Sequence, residues 1–167
     1  MNLLETLKPV QCSCKICKAM CVRPCFGTPK DIQKLIDEGY ADRLTLDTHC
    51  GVDPGAVIFI LTPALKGFEG KASPYLPYSR LGCTFWSYGK CKLHSSGLKP
   101  IGGKLACHDN SNDPENTLSG LVSETWNSEE GRELVKKWCD ERGIEIKEPI
   151  PSKSDTIELL MKNFILY

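Results

Sequence analysis

The feature that most constrains this chain is a run of five cysteines within fourteen residues: Cys12, Cys14, Cys17, Cys21 and Cys25. Cysteines separated by one to three residues can turn several sulfurs toward one metal, at about 2.3 Å each. A disulfide instead needs Cα atoms roughly 4.4–6.8 Å apart and a particular dihedral angle, which suits a Cys-x-Cys pair poorly. The spacing therefore favours a metal or iron–sulfur site over a disulfide framework.

A second set of potential ligands lies much later in the chain and consists of Cys83, Cys91, His94, Cys107 and His108. A centre that takes ligands from both sets closes a long loop, which costs several kcal/mol of chain entropy. Structural zinc contributes an apparent ~10–16 kcal/mol, as much as the whole ~5–15 kcal/mol stability of a typical domain. Since metal binding outweighs loop closure, we expect the N-terminal cluster to be disordered without metal.

Seven of the ten cysteines are the expected metal ligands: Cys14, Cys17, Cys21, Cys25, Cys83, Cys91 and Cys107. A tetrahedral centre takes four ligands, so the sulfurs are in excess. Cys12, His94 and His108 stay open, either as ligands or as side chains that orient a ligand by hydrogen bonding. Cys50 has no partner by spacing, and Cys139 is expected in the core because it lies on the apolar face of a predicted helix.

The length and charge indicate one ordinary globular domain. A chain of 167 residues can bury a sizeable core, and its 21 basic residues balance 21 acidic ones. This balance gives no electrostatic footprint for nucleic acid or an anionic membrane, and the cations near the first cluster more simply offset thiolate charge. We expect a single domain over 1–167, with a cysteine-cluster region at 12–108 and a helical C-terminal extension at 109–167.

No stretch of the sequence resembles a targeting or membrane-spanning segment. Residues 1–9 lack the basic and long apolar regions of a signal peptide. The longest apolar run, 56–61, is far too short to span a bilayer. We therefore expect a cytoplasmic protein without membrane contact, where reduced thiols favour metal over disulfides.

Local signals predict a small α+β fold in which a short hairpin and several helices accompany irregular, metal-stapled segments. Thr28 and Pro29 are a typical N-cap and first helical residue, and Gly39 marks the end of that helix. Cys25 precedes the helix start, where the positive end of the dipole favours a thiolate. The other predicted elements are a buried strand at 56–62, a loop at 66–80, a hairpin at 83–94 that brings Cys83 near Cys91, a turn at 102–103, and helices at 127–142 and 155–164.

Two motifs carry a resemblance to a known family. The first is Cys-x2-Cys-x3-Cys at Cys14, Cys17 and Cys21, and the second is Cys-x-Phe-x5-Cys-x2-His-x4-Lys-Pro, formed by Cys83, Phe85, Cys91, His94, Lys99 and Pro100. Over residues 12–108 the chain resembles the YkgJ-type cysteine-cluster proteins, which are described as zinc- or iron-chelating. The resemblance implies a metal- or iron–sulfur-binding protein, sometimes labelled an oxidoreductase, with no defined substrate.

The residues leave the identity and role of the metal open. Zinc would make the protein a binding or regulatory module with a protein partner, whereas an iron–sulfur cluster would make it a redox enzyme or electron carrier. An open zinc position beside His94 or His108 would add Lewis-acid catalysis. The Cys14-Lys-Ile-Cys17 pair also matches a thioredoxin-type redox motif, although the flanking thiols argue against a simple dithiol. A Ser-His-Asp triad, a P-loop and a dinucleotide-binding glycine motif are not recognisable.

Overall fold

The computed structural model describes residues 14–50, 57–72, 81–106 and 117–146. The predicted helix at 155–164 lies outside these ranges, as do Cys12, Cys107, His108 and the side chain of Cys50. Within the described ranges the fold is a small α+β arrangement of five α-helices and two two-stranded antiparallel sheets, as the sequence predicts. No helix in these ranges has both the length and the apolar character needed to cross a bilayer.

In chain order, the elements are α1 (Lys15–Met20), α2 (Pro29–Asp37), a 3-10 turn (Ala41–Arg43), β1 (Leu44–Cys50), β2 (Val57–Pro63), β3 (Trp86–Ser87), β4 (Lys90–Cys91), α3 (Ile101–Leu105), α4 (Thr117–Trp126) and α5 (Glu129–Asp140). The larger sheet pairs β1 with β2 over their full length, from Leu44 opposite Pro63 to Cys50 opposite Val57. β2 confirms the strand predicted at 56–62. The sequence does not predict β1, because only Leu44 and Leu46 alternate there with polar residues.

Helix α2 begins where the sequence predicts it. Thr28 Oγ1 accepts the N–H of Asp31 at 3.3 Å, and the Asp31 carboxylate accepts the N–H of Thr28 at 3.2 Å. This reciprocal capping box satisfies two backbone donors that a helix start otherwise leaves unpaired. Gly39 follows the helix with a φ of +83°, a conformation that costs glycine no steric strain.

Helices α2, α4 and α5 pack on the larger sheet and enclose the main core. Trp126 and Trp138 are buried, and their indole N–H groups donate to the carbonyls of Gly27 at 2.7 Å and Ala41 at 2.9 Å. These bonds satisfy donors that burial would otherwise leave unpaired. Cys139 is also buried in this core, as predicted.

The last two helices of the described ranges, α4 and α5, differ in how well the sequence predicts them. α5 confirms the helix predicted at 127–142, although it is shorter at both ends: Ser128 accepts the N–H of Gly131, and Gly143 follows with a φ of +64°. α4 is not predicted from the sequence. Its Thr, Ser and Gly residues have low helix propensity, and packing against the core overrides that preference.

Candidate metal centre

Helix α1 carries the first cysteine cluster and is only six residues long. Cys14 Sγ caps its start by accepting the N–H of Cys17 at 3.4 Å. Cys17 is buried and Cys21 occupies the C-terminal cap, whereas the aliphatic side chains of Ile16 and Met20 are exposed. A short helix that leaves aliphatic side chains in solvent gains little stability from burial.

The second set of cysteines belongs to the hairpin predicted from the sequence. β3 pairs with β4 so that Trp86 lies opposite Cys91. Tyr88 and Gly89 form the two-residue turn with φ values of +49° and +73°, as a type I′ turn requires. The hairpin is confirmed, but Cys83 precedes β3 and is therefore not the cross-strand partner of Cys91.

Cys83 and Cys91 nevertheless occupy equivalent positions, because each begins a tight turn. The N–H three residues later donates to the cysteine carbonyl, at 2.9 Å after Cys83 and 3.2 Å after Cys91. The N–H two residues later, from Phe85 or Leu93, donates to the cysteine sulfur. Phe85 and Leu93 are themselves buried, so each turn is anchored in the core while its sulfur receives a backbone donor.

Hydrogen bonds between distant residues hold the second cysteine segment to the first and to α2. The N–H of Cys83 donates to the carbonyl of Val22 at 2.6 Å. The Asp31 carboxylate, which caps α2, also accepts the N–H of Ile101 at 3.1 Å. The first contact fastens the hairpin to the end of α1, and the second fastens α3 to the start of α2.

The turn predicted at 102–103 is wrong, because both glycines lie inside helix α3. The N–H of Gly102 donates to the carbonyl of Phe26 at 2.9 Å, and a Cβ on Gly102 would lie 2.6 Å from that oxygen. A Cβ on Gly103 would lie 3.0 Å from Cys25 Sγ and 2.8 Å from Lys99 Cε. Glycine is needed here because two backbone segments approach closely, not because the chain turns.

Four cysteines line one cavity of about 470 Å³: Cys21, Cys25, Cys83 and Cys91. Burial raises the pKa of the Cys25 thiol far above its usual range, and the nearby Cys83 and Cys91 raise it further. Burial likewise raises the pKa of Cys83 to about 11, and it raises the pKa of Cys91. In the protein without metal, this desolvation acts against the thiolate that the helix dipole favours at Cys25.

Lys99 brings a positive charge to these thiols. Its ammonium group lies 3.4 Å from Cys21 Sγ, and its charge opposes the rise in the pKa of Cys25 and Cys91. Arg23 also lines the cavity, and no described lining residue is an aspartate or glutamate. These cations therefore partly offset the burial that disfavours negative charge on the sulfurs.

A second cavity, of about 340 Å³, adjoins the first. Both are lined by Cys21, Cys91 and Lys99, and the second also by Cys17 and His94. Five of the seven predicted ligands thus line the two joined cavities: Cys17, Cys21, Cys25, Cys83 and Cys91. Of the other two, Cys14 is at the start of α1 and Cys107 lies outside the described ranges.

Among the residues that the structure describes, no group of three or more cysteine, histidine, aspartate or glutamate side chains is arranged so that it could hold a metal ion. The donor chemistry of the cavity suits a thiophilic metal, because four thiols line it without a competing carboxylate and two of them receive backbone N–H groups. The predicted ligand roles of the cysteines stay predictions.

The sequence predicts only that the cations near the first cluster offset thiolate charge, and it does not predict which lysines line a cavity. Lys18 and Lys90 line the second cavity together with Lys99. A usable signal exists in the sequence, since neither 14–30 nor 81–106 contains an aspartate or glutamate. In a chain of balanced charge, two acid-free segments that share the cysteines indicate one basic surface.

No family model matches the chain, and no curated protein or solved structure is significantly similar to it. A functional assignment therefore depends on the geometry and chemistry of the cavity lined by Cys21, Cys25, Cys83 and Cys91.

Proposed function

We propose that this protein binds a zinc ion or an iron–sulfur cluster through Cys21, Cys25, Cys83 and Cys91. The observation that carries the proposal is the convergence of four thiols, from two distant segments, on one cavity without a competing carboxylate. Thiolates are the ligands that structural zinc and iron–sulfur clusters share. Cys17 is the nearest candidate for an additional or exchanging ligand, because it lines the adjoining cavity.

The local backbone supports ligand roles for Cys83 and Cys91. Hydrogen bonds from the N–H groups of Phe85 and Leu93 favour the charged form of each sulfur. The same bonds orient the sulfurs, as the outer hydrogen bonds around metal centres do for their ligands. The Lys99 ammonium group supports Cys21 in the same way.

A bound cation would also remove an unfavourable interaction between the thiols. The cysteines of the cavity raise one another's pKa values, because ionising one sulfur disfavours ionisation of the next. Thiols lose their protons when they ligate a metal, so binding converts this mutual repulsion into attraction to a shared cation. We expect the four sulfurs to draw closer together when the centre forms.

Two roles for the centre are compatible with these residues. Zinc held by four cysteines would be a closed structural site that fixes the hairpin against α1 and leaves a protein partner to be found elsewhere. An iron–sulfur cluster would supply one-electron transfer, and the N–H groups and Lys99 would tune its potential. The hydrogen bonds to sulfur favour the second role, in line with the oxidoreductase label of the YkgJ-type family. That resemblance and the cytoplasmic location remain predictions.

The deciding experiment is an absorption spectrum, with zinc and iron analysis, of protein purified without oxygen. A broad visible band with about four irons per chain would identify an iron–sulfur protein. Colourless protein with stoichiometric zinc would identify a zinc site. Protein that contains neither metal and takes up neither on reconstitution would overturn the proposal.

A matched pair of variants tests whether these cysteines are the ligands. Cys25→Ser removes a sulfur from the cavity. Cys139→Ser makes the same change in the apolar core, next to Trp138 in α5. We expect the first variant to lose metal and the second to retain it. Equal metal content in the two variants would show that the ligands lie elsewhere.

A further inference from the structure

The second cavity carries cations that the proposed centre does not use. Lys18 reaches it from α1 and Lys90 from β4, and both are exposed. Lys99 is half-buried between the two cavities. His94 and Ser95 also line the second cavity and add a ring nitrogen and a hydroxyl. Several hydrogen-bond donors from three separate parts of the chain therefore surround one small space.

These positive charges are not neutralised within the described part of the chain. None of the described residues that line the cavity is an aspartate or glutamate. The ion pairs among the described residues are made by Arg142 with Asp42 and Glu141, none of which lines the cavity. A cleft lined by charge of one sign concentrates ions of the opposite sign.

A lysine beside a thiolate centre can serve simply to offset its charge. The contacts show that Lys99 fits this role and that Lys18 and Lys90 do not. Lys99 does contact a thiol, with Nζ 3.4 Å from Cys21 Sγ. For Lys18 and Lys90 the described structure contains no such hydrogen bond to sulfur, and both side chains belong to the outer wall. Their charges are therefore available to a molecule that enters from solvent.

The size and walls of the cavity indicate what that molecule is. Its volume of about 340 Å³ is near the lower end of the ~300–1,000 Å³ range of small-molecule sites. Half-buried Trp86 supplies a flat apolar wall, and Gly89 leaves the hairpin end of the cavity without a side chain. A flat ring bearing an oxyanion matches these walls, because the ring can pack on the indole while the oxygens accept from the ammonium groups.

We infer that the second cavity binds a small aromatic oxyanion, with its phosphate or carboxylate group between Lys18 and Lys90 and its ring against Trp86. The bound molecule would lie beside Cys21 and Cys91, which line both cavities. The site goes beyond the proposed function, since Lys18 and Lys90 are not metal ligands and anion binding does not require a particular metal. If the centre is catalytic, this cavity is where its substrate would reach it.

The test uses the full-length protein as isolated and phenyl phosphate as the probe, followed by isothermal titration calorimetry. We expect saturable binding that weakens as salt is added, because ionic attraction between exposed groups is screened. Benzylammonium, which has a similar ring and the opposite charge, should not bind. Absence of saturable phenyl phosphate binding, or equal binding of benzylammonium, would overturn the inference.

Two double variants that remove the same charge test where phenyl phosphate binds. Lys18→Gln with Lys90→Gln removes the two outer lysines, and Lys34→Gln with Lys137→Gln removes the same charge from exposed positions on α2 and α5. The first pair should weaken phenyl phosphate binding about tenfold or more, which corresponds to the loss of charge-assisted hydrogen bonds. The second pair should leave the affinity unchanged, and equal weakening by both pairs would contradict the site.

Metal analysis of the same samples separates this inference from the proposed function. Both pairs of lysine variants should retain the zinc or iron of the unmodified protein. Protein that neither contains nor takes up metal, yet binds phenyl phosphate with the expected lysine dependence, would overturn the metal proposal alone. The single variant Lys90→Gln, at the exposed end of the hairpin, repeats the test with little risk to folding. If neither this variant nor the Lys18→Gln, Lys90→Gln pair changes the affinity for phenyl phosphate, the anion site is refuted.

Discussion

Two regions of this protein are stabilised in different ways. The apolar half consists of α2, β1, β2, α4 and α5, with strands of seven residues and helices of nine to twelve. The cysteine half consists of 14–27 and 81–106, and its elements are only two to six residues long. Elements this short are marginal in water unless something else fixes them.

Side-chain burial separates the two halves in the same way. The largest fully buried side chains, Trp126 and Trp138, lie in the apolar half. The exposed large apolar side chains of the described ranges all lie in the cysteine half: Ile16, Met20, Leu81 and Tyr88. Phe85 anchors the cysteine half to the core, with its ring edge-on to Tyr40 and under the Arg43 guanidinium. Apolar burial is therefore more complete in the apolar half, and the proposed metal would add stability to the cysteine half.

Metal removal should have the largest effect and should act on one half only. Chelation withdraws a contribution of the order of 10 kcal/mol if the centre is structural. We expect amides of α1 and the β3–β4 hairpin to lose protection from hydrogen exchange, while amides of β1, β2 and α5 stay protected. Equal loss of protection in both halves would show that the molecule is one cooperative unit.

Helix packing in the apolar half should be the next most sensitive feature. A Cβ on Gly131 would lie 2.6 Å from the Thr125 carbonyl oxygen and 2.7 Å from Trp126 Cα, and backbone atoms cannot rotate away. Gly131→Ala should therefore lower the free energy of unfolding by about 3 kcal/mol, measured by denaturant titration. Gly120→Ala is the control, because a Cβ there meets nothing within 4 Å. It should raise stability by about 0.5–1 kcal/mol, and similar effects of the two changes would contradict this packing.

The buried Cys139 thiol tests whether cysteines in the two halves differ. Cys139 is almost fully buried, and burial raises its pKa to about 12. Cys139→Ser places a hydroxyl among apolar side chains and should lower the free energy of unfolding by about 2 kcal/mol. Metal content should be unaffected. Reduced metal in this variant would place Cys139, rather than the cavity thiols, in the centre.

Asp47 on β1 should give the apolar half a small pH dependence. Burial raises the pKa of its carboxyl from 3.8 to about 6, opposed by a hydrogen bond from the Thr48 N–H at 2.7 Å. Because the folded pKa lies above the unfolded value, this contribution to stability is complete below pH 3.8 and is lost as the pH rises through about 6. A two-unit shift corresponds to about 3 kcal/mol, and since the side chain is only half-buried we expect about 1 kcal/mol.

The pH experiment compares the protein with Asp47→Asn at pH 4 and pH 7 by denaturant titration. The unmodified protein should lose stability relative to the variant between these two values, because only Asp47 must ionise in a partly buried position. A difference between the two proteins that does not change with pH would mean that the carboxyl is solvated in the folded state.

The sequence predicts features whose cause is local. Thr28, Pro29 and Asp31 specify the start of α2 through contacts within one turn of helix. Tyr88 and Gly89 specify the hairpin, because a two-residue turn with positive φ fits few residue types. Cysteine spacing likewise identifies the two segments that meet at the cavity. Where propensity and packing disagree, as in α4, local reasoning fails because the core decides.

The sequence by itself determined that this is a small α+β protein with two cysteine segments in which charge and thiols coincide. Only the tertiary structure decided which thiols line the same cavity and which lysines line the adjoining one. Those outcomes depend on two backbone contacts between distant residues, Cys83 with Val22 and Gly102 with Phe26. Backbone N–H and carbonyl groups are alike at almost every position, so the residue pattern does not predict which distant group each of them will contact. Gly102 therefore suggests a turn when only the sequence is known. In the fold it lies in a helix, where the close approach of the Phe26 backbone admits only glycine.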